Sequence, residues 1–411
     1  MWIVLSLLIA CGSSEPEPVS EDTEVGPETD TEVVTEETDS DVTDPCEEEL
    51  VAPLERIRHE DGELFYAQIG LGGLSLGESA LVVGPDGTRI LIDVGNDSHD
   101  DDVADALIGT GGATVDHVVI THLHADHADG LEDLLDDIAV TGKIVHRGLL
   151  DLTDAANTDT VAQLCRSLSL APGASTPLCQ GSEAAGCDPA GWTGTYPSTS
   201  CGGYTLGPLE IVAINGHIGG TSYQAEVGPI RTDDLNGENA RSAVGVLSHG
   251  DFRLLISGDL TAESPDSDPV EEFYADHIRD AAGLNDRGVD VVHLAHHGRD
   301  SSNSTTWLDV LAPADGLSRN AIIGISTAHL GSPHREVLDN VLSGDRLADG
   351  LIWATTIAAG GANDPKLVEA AGGQVLIATR DGGRSYVIQA VNPSGTVIDS
   401  RAYHSARACV R

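Results

Sequence analysis

The chain has 411 residues, 40% hydrophobic but only 3% aromatic and with a single Met, so a folded core must be packed mainly from Val, Leu, Ile and Ala. Its formal net charge is −46, and its 21 Lys and Arg are scattered without a basic run, which disfavours nucleic acid as a partner because phosphate binding rests on such residues. Length alone would allow two or three domains, yet an acidic, low-complexity start followed by one continuous βα pattern predicts a single large domain over residues 51–411.

Trp2 to Ala10 form an apolar run too short to span a bilayer, followed by Cys11, Gly12, Ser13 and Ser14. Leu8-Ile9-Ala10-Cys11 resembles a bacterial lipoprotein box, although no Lys or Arg precedes the run. That resemblance implies a signal over residues 1–11, export, and a lipid anchor on Cys11 at the periplasmic or cell-surface side of a membrane. Residues 12–50 form the next segment. Glu15 to Glu49 contain sixteen Asp or Glu and no Lys or Arg, a composition that predicts a disordered, self-repelling tether. Removing those charges leaves about −30 on the remainder, so the folded part is itself acidic.

Strands are predicted at Leu64–Ile69, Ala80–Val83 and Arg89–Val94, the last two joined by the turn Pro85-Asp86-Gly87. A helix follows over Asp101–Gly109, then a buried strand over His117–Ile120. The strand runs into Thr121-His122-Leu123-His124-Ala125-Asp126-His127, where four metal-ligand side chains fall within six residues at a turn. Ligands at positions 1, 3, 5 and 6 can diverge into two neighbouring clusters, as a two-metal site needs. A helix over Gly130–Ile138 and a strand over Lys143–His146 come next, with His146 as a plain polar strand end.

Apart from Cys11, six Cys remain: Cys46, Cys165, Cys179, Cys187, Cys201 and Cys409. An even number in an exported chain suggests three disulfides. Four crowd the Gly/Ser/Thr/Pro-rich stretch Leu164–Gly203, predicting a stapled insertion at about residues 160–203, with Cys46–Cys409 left by elimination. A structural zinc on the four central Cys competes with this pairing, but no Cys-x-x-Cys pair occurs.

Beyond the insertion, Leu209–Ile214 reads as a strand ending at Asn215-Gly216-His217. Ala243–Leu247 and Phe252–Ile256 form a second hairpin, ending at Ser257-Gly258-Asp259, and it echoes the first as if the domain held two similar βα halves. Val289–Ala295 is a strand that exits into His296-His297-Gly298. Adjacent side chains at a strand exit point apart, so only one of these His is expected to face the site. Strand Ile322–Ile325, helix Glu336–Leu342 and an antiparallel pair, Gln374–Thr379 with Ser385–Val391, complete the pattern.

His-x-His-x-Asp-His resembles the signature of the metallo-β-lactamase superfamily. With Asn239…Ser242, Ser257-Gly258-Asp259 and His-His-Gly…Ser-Ser, the stretch Leu64 to Gly360 is similar to the periplasmic hydrolase domain of ComEC-type DNA-uptake proteins. In their loop before a Pro such sequences place a His where this chain has Ser332, with His329 and His334 nearby, which separates the substrate from the metal site in what carries over. The resemblance implies an α/β fold, the four-layer αββα sandwich, and two divalent metal ions, with zinc the default for a His-rich shell and Mn or Fe equally suited to it. His122, His124 and His217 would hold one metal, Asp126, His127 and His297 the other, with Asp259 shared, although the roles of His297 and His296 could be exchanged. Asp126 and Asp259 would serve catalysis directly, His296 would face the substrate or act as an acid, and Asp93 would orient a ligand His.

Two close cations lower the pKa of a shared water toward about 7, so that a metal-bound hydroxide attacks and no Ser or Cys nucleophile is required. The expected activity is phosphodiester hydrolysis. Alternatives are lactone or β-lactam hydrolysis on the same site, or a non-catalytic, metal-stabilised surface module.

Overall fold

The computed structural model describes residues 50–71, 77–149, 155–171, 174–179, 187, 201–231, 235–313, 321–325, 331–347 and 351–408. The lipoprotein-like start, the acidic segment, Cys11, Cys46, His329 and Cys409 lie outside these residues.

Two sheets lie between layers of helices. The first takes strands β1 (Phe65–Gln68), β2 (Ala80–Val83), β3 (Arg89–Ile92), β4 (Thr114–Ile120), β5 (Ala139–His146) and β6 (Ser175–Pro177). The second takes β7 (Tyr204–Leu206), β8 (Leu209–Ile214), β9 (His217–Ile218), β10 (Thr221–Ser222), β11 (Val244–His249), β12 (Phe252–Ile256), β13 (Val291–His293), β14 (Ala321–Ile325), β15 (Ile352–Ala354) and β16 (Leu367–Glu369). The chain then returns to the first sheet through β17 (Gln374–Arg380), β18 (Ser385–Val391) and β19 (Val397–His404). The first sheet runs β19-β18-β17-β1-β2-β3-β4-β5-β6, and the second β10-β9-β8-β11-β12-β13-β14-β15-β16 with β7 on β8.

Period-two alternation within mostly apolar strands builds this arrangement, because each strand is covered on both faces. In β1 to β3, Tyr66, Ala80, Val82, Ile90 and Ile92 enter the cluster between the sheets. Phe65, Ala67, Leu81, Val83 and Leu91 enter the cluster under the helices of the first half. In β12, Phe252, Leu254 and Ile256 face the other sheet, while Leu255 joins the outer cluster of the second half.

The outer layer of the first half contains α1 (Asp100–Gly109), α3 (Leu131–Asp137), which follows the short α2 (Ala125–Ala128), and α4 (Ala155–Leu170). Three Asp in the first turn of α1 complement its dipole, and Val103, Ala104 and Leu107 form its buried face. In the second half come α5 (Tyr223–Glu226), α6 (Leu235–Asn239), α7 (Val270–Ala275), α8 (Ile278–Ala281), α9 (Thr305–Leu311) and α10 (Arg335–Leu342). Ser304 caps α9 by accepting from Trp307 N–H, and Val337, Leu338 and Val341 form the buried stripe of α10.

The predicted elements leave out many that form, among them α4, α7, α9, β6, β15, β16 and β19. The stretch expected to be core-poor from about residue 160 begins inside α4, whose Val161 and Leu164 are buried in the core. Cys165 pairs with Cys187 and Cys179 with Cys201, two bridges within the Cys-rich segment. No helix among the described residues is long and apolar enough to cross a membrane.

Candidate metal centre

The site forms where the parallel strands of both halves end. After β3 the backbone turns left-handed at Asp93 (φ 53°), and the Asp93 carboxylate accepts from Thr121 N–H at 2.8 Å and Thr121 Oγ1 at 2.7 Å. It also accepts from His127 Nδ1 at 2.8 Å, which fixes that ring with Nε2 pointing away. The ligand turn after β4 continues into α2, with His124 at its N-cap position and His127 within it. Gly130 closes the turn against the exit of β3, where a Cβ would lie 2.6 Å from Val94 O. In the second half Gly258 (φ 50°) does the same, since a Cβ there would meet Thr121 Oγ1 at 2.9 Å.

His296 and His297 both adopt left-handed backbone (φ 53° and 52°), a conformation that costs a non-Gly residue about 1–3 kcal/mol and must be imposed from outside. Asn303 imposes it by accepting from Ala295 N–H and donating to Ala295 O, both at 2.9 Å, while His296 N–H donates to Gly258 O at 3.1 Å. Both rings come near the Asp259 carboxylate, and among the described residues His297 but not His296 joins a set of metal donors. His296 Nε2 lies 3.7 Å and His297 Nε2 3.9 Å from the same Asp259 Oδ2. Strand alternation does not apply, because the chain leaves extended geometry at His296 itself, directly after the extended Ala295.

Asp259 stands between two donor sets. His122, His124 and Asp259 offer ligand atoms all within 4.8 Å of one another, and so do Glu78, His127, Asp259 and His297. Asp259 Oδ1 is 3.2 Å from His127 Nε2, and Oδ2 is 3.8 Å from His122 Nε2. Asp126 reaches the second set through His297 Nε2 at 3.4 Å. His296 is held at its edge by Ser301 Oγ, 2.8 Å from Nδ1, and by Asn239 Nδ2, 3.2 Å from Nε2. His217 is buried at the start of β9 but does not join His122, His124 and Asp259 within that distance. His146 is buried at the end of β5 and bonds to Ser175 and to Gly148 N–H, away from both sets.

Two residues of the site carry no signal in the sequence reading. Glu78 is buried in the second set, 3.6 Å from His297 Nδ1, and binds His293 Nε2 at 2.8 Å. Glu238 reaches the ligand turn from α6, where it accepts from Leu123 N–H at 2.8 Å.

The side chains fit divalent cations. His124 Nε2, His127 Nε2, Asp259 Oδ1 and Glu78 Oε2 are buried polar atoms with no hydrogen bond, and such atoms are costly unless something satisfies them. Burial opposes charge at His127, yet Asp259, Asp93 and Asp126 raise its pKa well above the ordinary imidazole range. Burial likewise works against the Asp259 carboxylate, and His127, His296 and His297 still hold it well below the usual range. The pocket therefore demands positive charge at its centre. His124 and Asp126 are only partly buried and line the side open to solvent.

A sequence model of the metallo-beta-lactamase superfamily matches residues 75–316. No curated protein matches the chain. Similar solved structures include the metallo-beta-lactamase SMB-1 bound to 2-mercaptoethanesulfonate, at 18% identity over 56% of this chain and 78% of that one, with a TM-score of 0.28. A Cronobacter sakazakii metallo-beta-lactamase is similar at 17% identity over 54% and 75%, TM-score 0.26. MEM-A1, a subclass B3 metallo-beta-lactamase from a soil metagenome library, is similar at 14% identity over 59% and 81%, TM-score 0.28.

Proposed function

The chain belongs to the metallo-beta-lactamase superfamily of metal-dependent hydrolases, and from that premise we propose that it is a dinuclear phosphodiesterase of the ComEC-like type, with zinc as its metal. The observation that carries the two-cation reading is the shared carboxylate: Asp259 turns one oxygen to His127 and the other to His122. His122 and His124, with the shared Asp259, would hold the first cation, and Asp126, His127 and His297 the second, while His217 stands outside the first set. When bound, the cations acidify water and polarise the oxygen under attack.

The protein's own groups do the rest. Asp93 keeps His127 in the Nδ1–H tautomer, so that Nε2 is free to ligate. His296, its Nδ1 bonded to Ser301 Oγ and its Nε2 to the Asn239 amide, stands beside Asp259 as a substrate-facing group.

The test is turnover of bis(p-nitrophenyl) phosphate by the purified chain beside a lactone and β-lactam panel. Diester cleavage that a chelator removes and Zn²⁺ restores is expected, whereas hydrolysis confined to lactones or β-lactams would overturn the substrate assignment. We also propose that the chain is exported and anchored through Cys11, on the strength of Leu8-Ile9-Ala10-Cys11. Intact-mass measurement of membrane-purified chain should then find a mature, acylated Cys11 as the first residue, and an unmodified Met1 would refute it.

A further inference from the structure

One stretch, Glu238 to Ala243, touches the His122–His127 turn, the Asp259 loop and the His296–His297 loop. Glu238 Oε1 accepts from Leu123 N–H at 2.8 Å, between His122 and His124. Asn239 Nδ2 lies 3.2 Å from His296 Nε2, and Ser242 Oγ accepts from Asp259 N–H at 3.1 Å. Ala243 N–H donates to Thr121 O at 2.9 Å. The loops come from distant parts of the chain, and this stretch is the common surface against which they are set in register.

Glu238 has the most demanding place in it. Its side chain is fully buried and is gripped by the equally buried Arg147, whose Nε donates to Oε1 at 2.6 Å and whose Nη2 donates to Oε2 at 2.5 Å. Arg147 follows directly on β5, and its carbonyl accepts from Asn215 Nδ2 at 3.0 Å. A buried ion pair is weak evidence for stability, since apolar replacements of similar volume often do as well. What an apolar pair could not supply is an oxygen under the Leu123 amide.

We propose that Glu238 is a positioning residue for the first cation: through the Leu123 N–H it fixes the backbone between His122 and His124, so that both imidazoles are aimed before metal binds. This rests on the two-cation reading above.

The test compares two double variants of the full chain, E238Q/R147M and E238M/R147M. Both lose the ion pair and share whatever it contributes to folding, but only the first keeps an oxygen for Leu123 N–H. Zn²⁺ is titrated calorimetrically, against a competing chelator, into metal-stripped protein. Wild type should take up two equivalents and E238Q/R147M should bind both with near-wild-type affinity. E238M/R147M should bind one of the two roughly 10–100-fold more weakly, with a changed Co²⁺ visible spectrum for that equivalent alone. E238D is the second arm should the Met pair fail to fold: it keeps a carboxylate for Arg147, withdraws the oxygen from Leu123, and should weaken the same equivalent. Equal affinities in the Gln and Met variants, or wild-type affinity in E238D, would overturn the proposal and leave the two-cation reading intact. A wild-type chain that takes up no Zn²⁺ would overturn both.

Discussion

The two halves of the molecule repeat one order of elements and use it differently. In the first, the hairpin β2–β3 is followed by the parallel strand β4, and Asp93 stands at the exit of β3. In the second, the hairpin β11–β12 is followed by the parallel strand β13, and Asp259 stands beyond the exit of β12. Both carboxylates are buried. Asp93 accepts three hydrogen bonds, and burial lifts its pKa despite His127 beside it. Asp259 has an oxygen with no hydrogen bond and is kept ionised against burial by three imidazoles. Equivalent positions have thus been divided between aiming a ligand and meeting the cations.

The largest expected effect breaks the second half alone. Asp259→Ala removes the one carboxylate that, among the described residues, is common to both donor sets, so diesterase activity should fall to background and excess Zn²⁺ should not restore it. Unfolding transitions followed by circular dichroism should stay close to wild type. Activity at the wild-type rate would refute the assignment. Asp93→Asn should act more mildly. The amide can still accept from Thr121, but it offers its other end, an N–H₂ group, to a His127 Nδ1–H that needs an acceptor. A loss of about 10–100-fold in metal affinity is expected by chelator competition, with activity recovered at high Zn²⁺. If the two variants behave alike, the division of labour between the halves is wrong.

His217→Ala probes the start of the second half. Its ring is buried with Nδ1 lacking a hydrogen bond, which suits a ligand, but it lies outside the cluster of His122, His124 and Asp259. The expected loss of Zn²⁺ affinity is therefore smaller than the roughly 10-fold lower bound for removing an orienting group. A loss as large as that of His122→Ala in the same titration would put His217 on an equal footing with the other two His.

What the sequence revealed and withheld follows from how local each signal is. The ligand turn His122 to His127 was legible because four ligand types crowd one strand exit, and the hairpins because their strands are short apolar runs bounded by turns. Glu78 was not legible: its partners His293 and His297 are far away in the chain, and the Gly- and Leu-rich sequence before it has no other ligand. The shared orientation of His296 and His297 was hidden for another reason. It depends on left-handed backbone that Asn303 enforces from beyond the loop, and no composition rule predicts that for a His. Helix α4 was obscured by its Thr, Ser and Asn content, although Val161, Leu164 and Leu168 keep the helical period.

The smallest effect should come from His146, which separates a His at a strand exit from a His in the site. β4 and β5 are parallel neighbours, and one leads to His122 while the other ends in His146. Burial, with the Arg147 cation beside it, pushes the pKa of His146 down to about 4, and its Nδ1 accepts from Gly148 N–H, so the native ring is neutral. Above pH 6.5 the unfolded ring is neutral too and the group has no influence on stability. Below that, the unfolded chain binds a proton that the folded chain refuses, so stability is lost as pH falls toward 4. Between pH 7 and pH 5 this amounts to about 2 kcal/mol. His146→Asn keeps an acceptor for Gly148 N–H but has nothing to titrate. Urea unfolding of both proteins at the two pH values should therefore show a loss smaller by that amount in the variant, with diesterase activity at pH 7 unchanged. Equal losses would mean that the ring is protonated in the fold, and an activity defect would place His146 in the site after all.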